Sequence, residues 1–321
     1  MRIRSSNFLV TVISLATVAI FLVGCAGPFA RPGREGPEDL PRKGKEPTIS
    51  LYNKEKDQVE EMRLETYLQG VVAGEMENFW PTEALAAQAI LARTFTLKKM
   101  EEGGVKEHNT DASTDEKEFQ AYAADRINQR VKDAVEQTRG MVVTYDGKYI
   151  NGWFHADAGG KTAASAVEGL DYRQEKAPYI KSVSDPGFEI SPPENKSWKA
   201  EFPLSEVRQK IQNWTGHDPG AIDQVKILEK GPSGRATKIK LGNVTLSGPS
   251  LRLALGSEVM RSTLLSRLEV QGGRLIAEGR GFGHGVGMSQ WGAKALAEQG
   301  QNAAEIVQYF FRDVRIQKAW D

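Results

Sequence analysis

The sequence predicts an α+β protein, built of mixed helices and small sheets with an inserted α+β subdomain, and three observations carry that reading. An alanine-dense, helix-favouring run occupies 83–100, while 141–154 holds short β-branched and aromatic runs about an Asp146-Gly147 turn. A block of different texture, 188–275, opens on Pro192-Pro193 and interrupts the pattern. The 321 residues, 40% apolar and 26% charged, suffice for one large domain or two small ones, and no internal repeat is present.

The first element is an export signal, expected over 1–24: Arg2 and Arg4, no acidic residue, then an apolar run over 8–23. A transmembrane anchor is the competing reading. The run is interrupted by Thr11, Ser14 and Thr17 and falls short of the roughly 20 residues that span ~30 Å of hydrocarbon. Leu22-Val23-Gly24-Cys25 resembles the lipobox of bacterial lipoproteins, in which the thiol is acylated and becomes the new N-terminus. Cys25 is the only cysteine, so internal disulfides are excluded, and the alternative is an unpaired thiol in an exported chain. Lysine plus arginine (42) balance aspartate plus glutamate (42) without a basic stripe, which argues against nucleic acid as a partner. Loss of Arg2 and Arg4 leaves 40 basic against 42 acidic residues, so attachment to a membrane would depend on lipid. Residues 25–47 alternate proline, glycine and charge, and read as a flexible tether.

Ordered structure is expected from about 49, with strands at 49–52 and 59–64 and a helix starting near Glu65. Pro81 suits the first position of the next helix, whose many alanines imply close packing. A first core segment over 48–187 then includes the 141–154 hairpin. Within the inserted block, 204–214 reads as an amphipathic helix and 225–241 as strands around 231–234. A second core segment, 276–321, carries Gly279, Gly281, Gly283, Gly285 and Gly287, a helix over 289–299 closed by Gly300, and another at 303–311.

Leu64, Leu68, Val71, Val72 and Glu75 share one helical face, so Glu75 lands on an apolar stripe. Loss of hydration there penalises the charged carboxylate and raises its pKa; the alternative is a solvated side chain at a frayed helix end before Trp80-Pro81. Gln88 and Arg93 are polar groups on the small-residue helix, able to orient a sugar or pair with a carboxylate, and pairing is the expected role of Arg93. Gln120 and Tyr122 are two apart, which means a shared side only in a strand. His155 ends a strand beside Asp157 and Gly159-Gly160, where it either stabilises a turn or takes part in chemistry. Alternating glycines around His284 leave one face of an extended segment bare, so that a backbone or ligand must come close. The segment lacks both G-x-G-x-x-G and the phosphate-loop lysine, which argues against nucleotides, and no G-x-S-x-G surrounds Ser289. His108, His155, His217 and His284 have no zinc-like spacing.

Val71-Val72-Ala73-Gly74-Glu75-Met76, the run Trp80-Pro81-Thr82-Glu83-Ala84-Leu85-Ala86-Ala87-Gln88-Ala89 with Ala92-Arg93-Thr94, and Gly283-His284-Gly285-Val286-Gly287-Met288-Ser289-Gln290 together resemble the stage II sporulation protein D and amidase-enhancer LytB family. The likeness extends over about 49–315, with Phe154-His155, Gly159-Gly160 and Ser233-Gly234-Arg235 in the same order. The resemblance implies a lytic transglycosylase acting on peptidoglycan glycan strands in engulfment or wall remodelling, with Glu75 as acid/base. It also implies a two-lobed core around a cleft lined by the glycine-rich segment. His284, Ser289 and Gln290 then become substrate-binding candidates, with Gln120 and His155 behind them; Gln88 and Arg93 join them as substrate-binding candidates on residue chemistry alone. The implied partners are glycan strands, a membrane through the lipid anchor and a cell-wall amidase, with the chain facing the wall.

Three departures stand out. The zinc-binding His/Cys cluster of some members has no counterpart, since Ser113 and Phe119 stand where thiols would be expected, so no metal or other cofactor is expected. Glu77 replaces the proline after Glu-Met, and Arg93-Thr94-Phe95 the usual Arg-Thr-Tyr. A single acidic candidate suits a transglycosylase, because the substrate's own 6-hydroxyl replaces the water that a second carboxylate would activate. The other functional class left open is a non-catalytic glycan-binding activator of an amidase.

Overall fold

The computed structural model describes residues 44–321, so the expected export signal, Cys25 and most of the tether lie outside the described residues. The architecture is α+β, with helices and several small sheets. Strands β1 (Thr48–Asn53) and β2 (Gln58–Arg63) pair antiparallel and lead straight into α1 (Leu64–Glu75). Helix α2 (Thr82–Glu101) is buried from Ala84 to Leu97 and packs against α1 and later helices; its alanines let several backbones approach at once. Pro81 sits one position earlier than expected, as the N-cap, where its missing N–H costs nothing. The short β3 (Ala112–Ser113) runs parallel to β1.

Asn128 caps α3 (Gln129–Gln137) by accepting from the Val131 N–H. Next, β4 (Met141–Tyr145) and β5 (Lys148–Tyr149) form the expected hairpin, Asp146 and Gly147 having φ of 50° and 72°, the left-handed pair of a type I′ turn. The hairpin ends at Tyr149, short of the expected 154. Residues 154–155 form β6 (Phe154–His155), which pairs in parallel with 288–289, because a distant backbone replaces the hairpin partner.

After α4 (Ala166–Leu170) and the single turn α5 (Pro193–Lys196) come β7 (Trp198–Pro203), α6 (Leu204–Thr215), β8 (Val225–Lys230), β9 (Ala236–Leu241), β10 (Val244–Ser247), α7 (Gly248–Leu255), β11 (Leu265–Gln271) and β12 (Arg274–Gly279). They form sheets in the orders β10-β9-β8 and β11-β12-β7. These elements enclose an apolar cluster of their own, including Phe202, Val207, Ile239, Leu251 and Leu275. The larger cluster lies under α1 and α2 and takes in the C-terminal elements: β13 (Met288–Ser289), α8 (Gln290–Glu298), α9 (Ala303–Phe310) and β14 (Arg315–Lys318), the last pairing with β4. Among the described residues no helix is long and apolar enough to cross a membrane.

Candidate functional site

Glu75 is the last residue of α1 and is only 3% exposed. Two glycines one turn apart put it there. A Cβ on Gly70 would fall 2.1 Å from the Tyr122 ring, and one on Gly74 would fall 2.7 Å from the Tyr122 amide nitrogen. The bare stripe lets 119–123 lie against the helix, where Ala123 N–H donates to Gly70 O at 3.0 Å and Ala121 N–H to Glu75 Oε1 at 2.8 Å. Glu75 Oε2 accepts no hydrogen bond of normal geometry. Burial drives the Glu75 pKa up to about 8; the Ala121 N–H opposes the shift, the nearby charge of Glu116 adds to it, and the Gln290 amide opposes it. The carboxyl therefore holds its proton at neutral pH.

A narrow pocket beside Glu75 is lined by Met76, Glu77, Trp80, Arg126, Ala156, Gln290 and Trp291. The space open to a water centre, ≈ 10 Å³, is about what one water needs. One wall is aromatic: Trp80 and Trp291 meet at 4.6 Å between ring centroids, with Lys294 5.5 Å from the Trp291 ring. Across the mouth Arg126 Nη2 donates to Glu77 Oε2 at 2.9 Å. Gln290 Nε2 donates to the Glu75 backbone carbonyl at 3.1 Å, which ties the first turn of α8 to the end of α1. The C-terminal segment, more than 200 residues away in sequence, thus closes the pocket.

The glycine-rich segment departs from the expected extended ribbon, since Gly281, Gly283, Gly285 and Gly287 all have positive φ and the chain winds. Close approach is nevertheless its function: a Cβ on Gly285 would meet the Arg235 guanidinium at 2.3 Å, and one on Gly287 the Trp153 carbonyl at 2.1 Å. Arg235 is fully buried and donates to Ala158 O, Lys161 O and Ser233 Oγ. It joins the segment containing β9 to the glycine-rich chain.

Of the sequence-predicted residues, Gln290 alone accompanies Glu75 in lining this pocket. His155 and His284 are buried with ring centroids 5.4 Å apart. Burial, then Arg252 and Arg235, push His284 down to about 3, and burial with the neighbouring His284 holds His155 well below the usual histidine range. Both rings are neutral braces: His155 Nδ1 lies 3.2 Å from Val286 O, and His284 Nδ1 accepts from Val286 N–H. Ser289 Oγ caps α8 and donates to Asp185 Oδ2 at 2.7 Å, so it is engaged as a structural group. Burial, with Asp157 beside it, raises Asp185 to about 6.

Three residues named as substrate contacts lie away from this pocket, and Arg93 takes the pairing role expected of it. Arg93 is fully buried and clamps Glu65 with two hydrogen bonds, at 3.0 and 2.6 Å. Gln88 is fully buried on α2, and neither its side-chain oxygen nor its nitrogen has a hydrogen-bond partner among the described residues. Gln120 turns inward and donates to Thr96 Oγ1 at 3.0 Å; its loop backbone is what reaches Glu75. Sequence reading passed over Arg126, Trp291 and the Ala121 amide. Trp291 directly follows the motif already singled out, and the Gly70/Gly74 spacing signalled a backbone against α1. Nothing local pointed to Arg126.

Residues 52–145 match the stage II sporulation protein family model, and 184–287 match a domain of unknown function, DUF8618. The chain is 30% identical to stage II sporulation protein D of Bacillus subtilis over 302 residues, 90% of this chain and 84% of that protein. It is 31% identical over 268 residues to an uncharacterized protein of Brachyspira hyodysenteriae, covering 83% of this chain and 69% of the relative. It is 27% identical over 291 residues to an amidase enhancer of Bacillus subtilis, covering 76% of this chain and 39% of that protein.

Proposed function

We propose that this chain, which belongs to the stage II sporulation protein D family, is an exported, lipid-anchored lytic transglycosylase that cuts peptidoglycan glycan strands with Glu75 as acid/base. Its relatives are named for sporulation and for amidase enhancement, and both point to remodelling of the cell wall. One observation carries the reading: a carboxyl buried in an apolar surround and protonated at neutral pH, with one oxygen that accepts no hydrogen bond of normal geometry, beside a pocket at the surface. The expected two-lobed cleft and a subdomain over 188–275 belong to the same proposal.

The pocket admits a water but no pyranose ring, so the glycan lies across its mouth and the scissile oxygen faces Glu75. Glu75 gives its proton to that oxygen as the C1–O bond breaks, and the glycan segment beyond it leaves as an alcohol. Its carboxylate then accepts the proton of the muramyl 6-hydroxyl as O6 closes onto C1, giving a 1,6-anhydro end and regenerating the acid. Glu77 also lines the pocket but is paired with Arg126, which disfavours its use as a base for water.

Glu75→Gln is expected to reduce release of anhydro-ended fragments from purified glycan by at least about 10²-fold, within the usual worth of a general acid, with the circular dichroism spectrum unchanged. Release at the wild-type rate would refute the assignment. A non-catalytic reading, glycan binding that stimulates an amidase, is favoured by the clip-like bond from Ala121 N–H to Glu75 and by the amidase-enhancer relative. It requires glycan binding with no new anhydro or reducing ends.

A further inference from the structure

The rim of the Glu75 pocket carries a cation that the acid/base chemistry leaves unused. Arg126 lines the pocket with its side chain about one-third exposed. Its Nη2 donates to Glu77 Oε2 at 2.9 Å and to Met76 O at 3.4 Å, while Nε and Nη1 make no hydrogen bond among the described residues. A guanidinium is a planar fork suited to both oxygens of a carboxylate, and here one prong is used. Glu77 is thus the chain's own carboxylate seated at that rim, in a partly exposed, single-pronged pair of the kind that a better-placed anion displaces.

The segment is held in place independently of that pair. Asn78 Nδ2 donates to Arg126 O at 2.7 Å, and Asn128 Nδ2 to Asn78 O at 3.0 Å, so exchanging the Arg126 partner leaves the two loops joined. A glycan lying across the mouth brings its ring substituents to this rim. In a muramyl sugar the 3-O-lactyl group ends in a carboxyl and sits on the ring whose C1–O bond is cut; an N-acetylglucosamine polymer has no such acid.

Resting on the proposed glycan-cutting function, we infer that Arg126 is a specificity-determining residue: it exchanges Glu77 for a carboxylate carried by the glycan, and so seats acid-bearing muramyl strands over Glu75. Glu77 is the internal competitor that keeps the fork occupied until such a strand arrives.

Binding of a muramyl tetrasaccharide with free lactyl carboxylates, and of its methyl ester, is measured by calorimetry on full-length protein in a Glu75→Gln background, so that nothing is consumed. The acid is expected to bind at least about ten-fold more tightly than the ester, as for a charge-assisted pair. Adding Arg126→Gln should abolish that preference by weakening the acid far more than the ester, Arg126→Lys should keep part of it, and Glu77→Gln should tighten acid binding more than ester binding. Equal affinity for acid and ester, or a Glu77→Gln variant that binds both as before, overturns the inference. So does equal loss of both ligands in Arg126→Gln, which would make the arginine only a loop brace. If Arg126→Gln does not fold, Arg126→Lys and Glu77→Gln still decide. Acid preference without anhydro ends from the wild type would sink the enzyme reading and leave this one standing; anhydro ends without acid preference would do the reverse.

Discussion

Helix α1 carries a buried glutamate near each end, and the two have opposite surroundings. Glu65 is 4% exposed and saturated: Arg93 grips both oxygens, and the Gly140 N–H and Trp320 Nε1–H also donate to Oε1. Glu75, ten residues on and equally buried, has the Ala121 N–H on one oxygen and no normal hydrogen bond on the other. Burial alone therefore does not mark a reactive carboxylate. Glu65 is matched by a cation and donors that suit its charged form, and it joins α1 to α2 and to the C-terminal strand region. Glu75 lacks a counter-ion, so its neutral form is favoured and its proton is available.

The largest expected stability effect comes from breaking the saturated end. Arg93→Ala leaves Glu65 buried beside two N–H donors without its cation and should cost about 3–5 kcal/mol in urea unfolding. A loss below about 1 kcal/mol would mean that the buried Arg93–Glu65 pair contributes no more than an exposed one. At the other end, Gly74→Ala drives a methyl into the backbone of 121–122, and a strained insertion of that kind costs about 1–3 kcal/mol. It should also weaken the Ala121 contact and lower activity while leaving the Glu65 network intact.

The pH dependence of stability sharpens the contrast further. The folded pKa of Glu75, about 8, lies above its ordinary 4.5, so the folded state binds the proton more tightly. The stability this contributes is full below about 4.5 and is lost as pH rises through 8. Glu75→Gln has no such loss, so its stability relative to wild type should climb across that window. A difference that stays flat with pH would place the native carboxyl in a water-like setting.

Much of α1 was legible because Leu64, Leu68, Val71 and Val72 define a face on which Glu75 falls, and periodicity is a local property. The hairpin turn at Asp146-Gly147 was legible for the same reason, as its two residues set the left-handed φ values. The partners were not. Arg93 pointed to some carboxylate, yet choosing Glu65 requires knowing that α2 lies along α1. Gln120 was read at the right loop with the wrong atom, because a side-chain list does not reveal a backbone N–H that becomes the donor when Gly70 and Gly74 admit the chain. The winding of 281–287 was hidden in its glycines, which permit an extended or a left-handed path and leave the choice to Trp153, His155 and Arg235.

The central claim, that Glu75 is a neutral acid at neutral pH, is tested most directly by carbon NMR titration of its side-chain carboxyl, assigned by the signal missing from Glu75→Gln. A midpoint near 8 is the expected result. A midpoint near 4.5, the ordinary value for a solvated glutamate, would contradict the account.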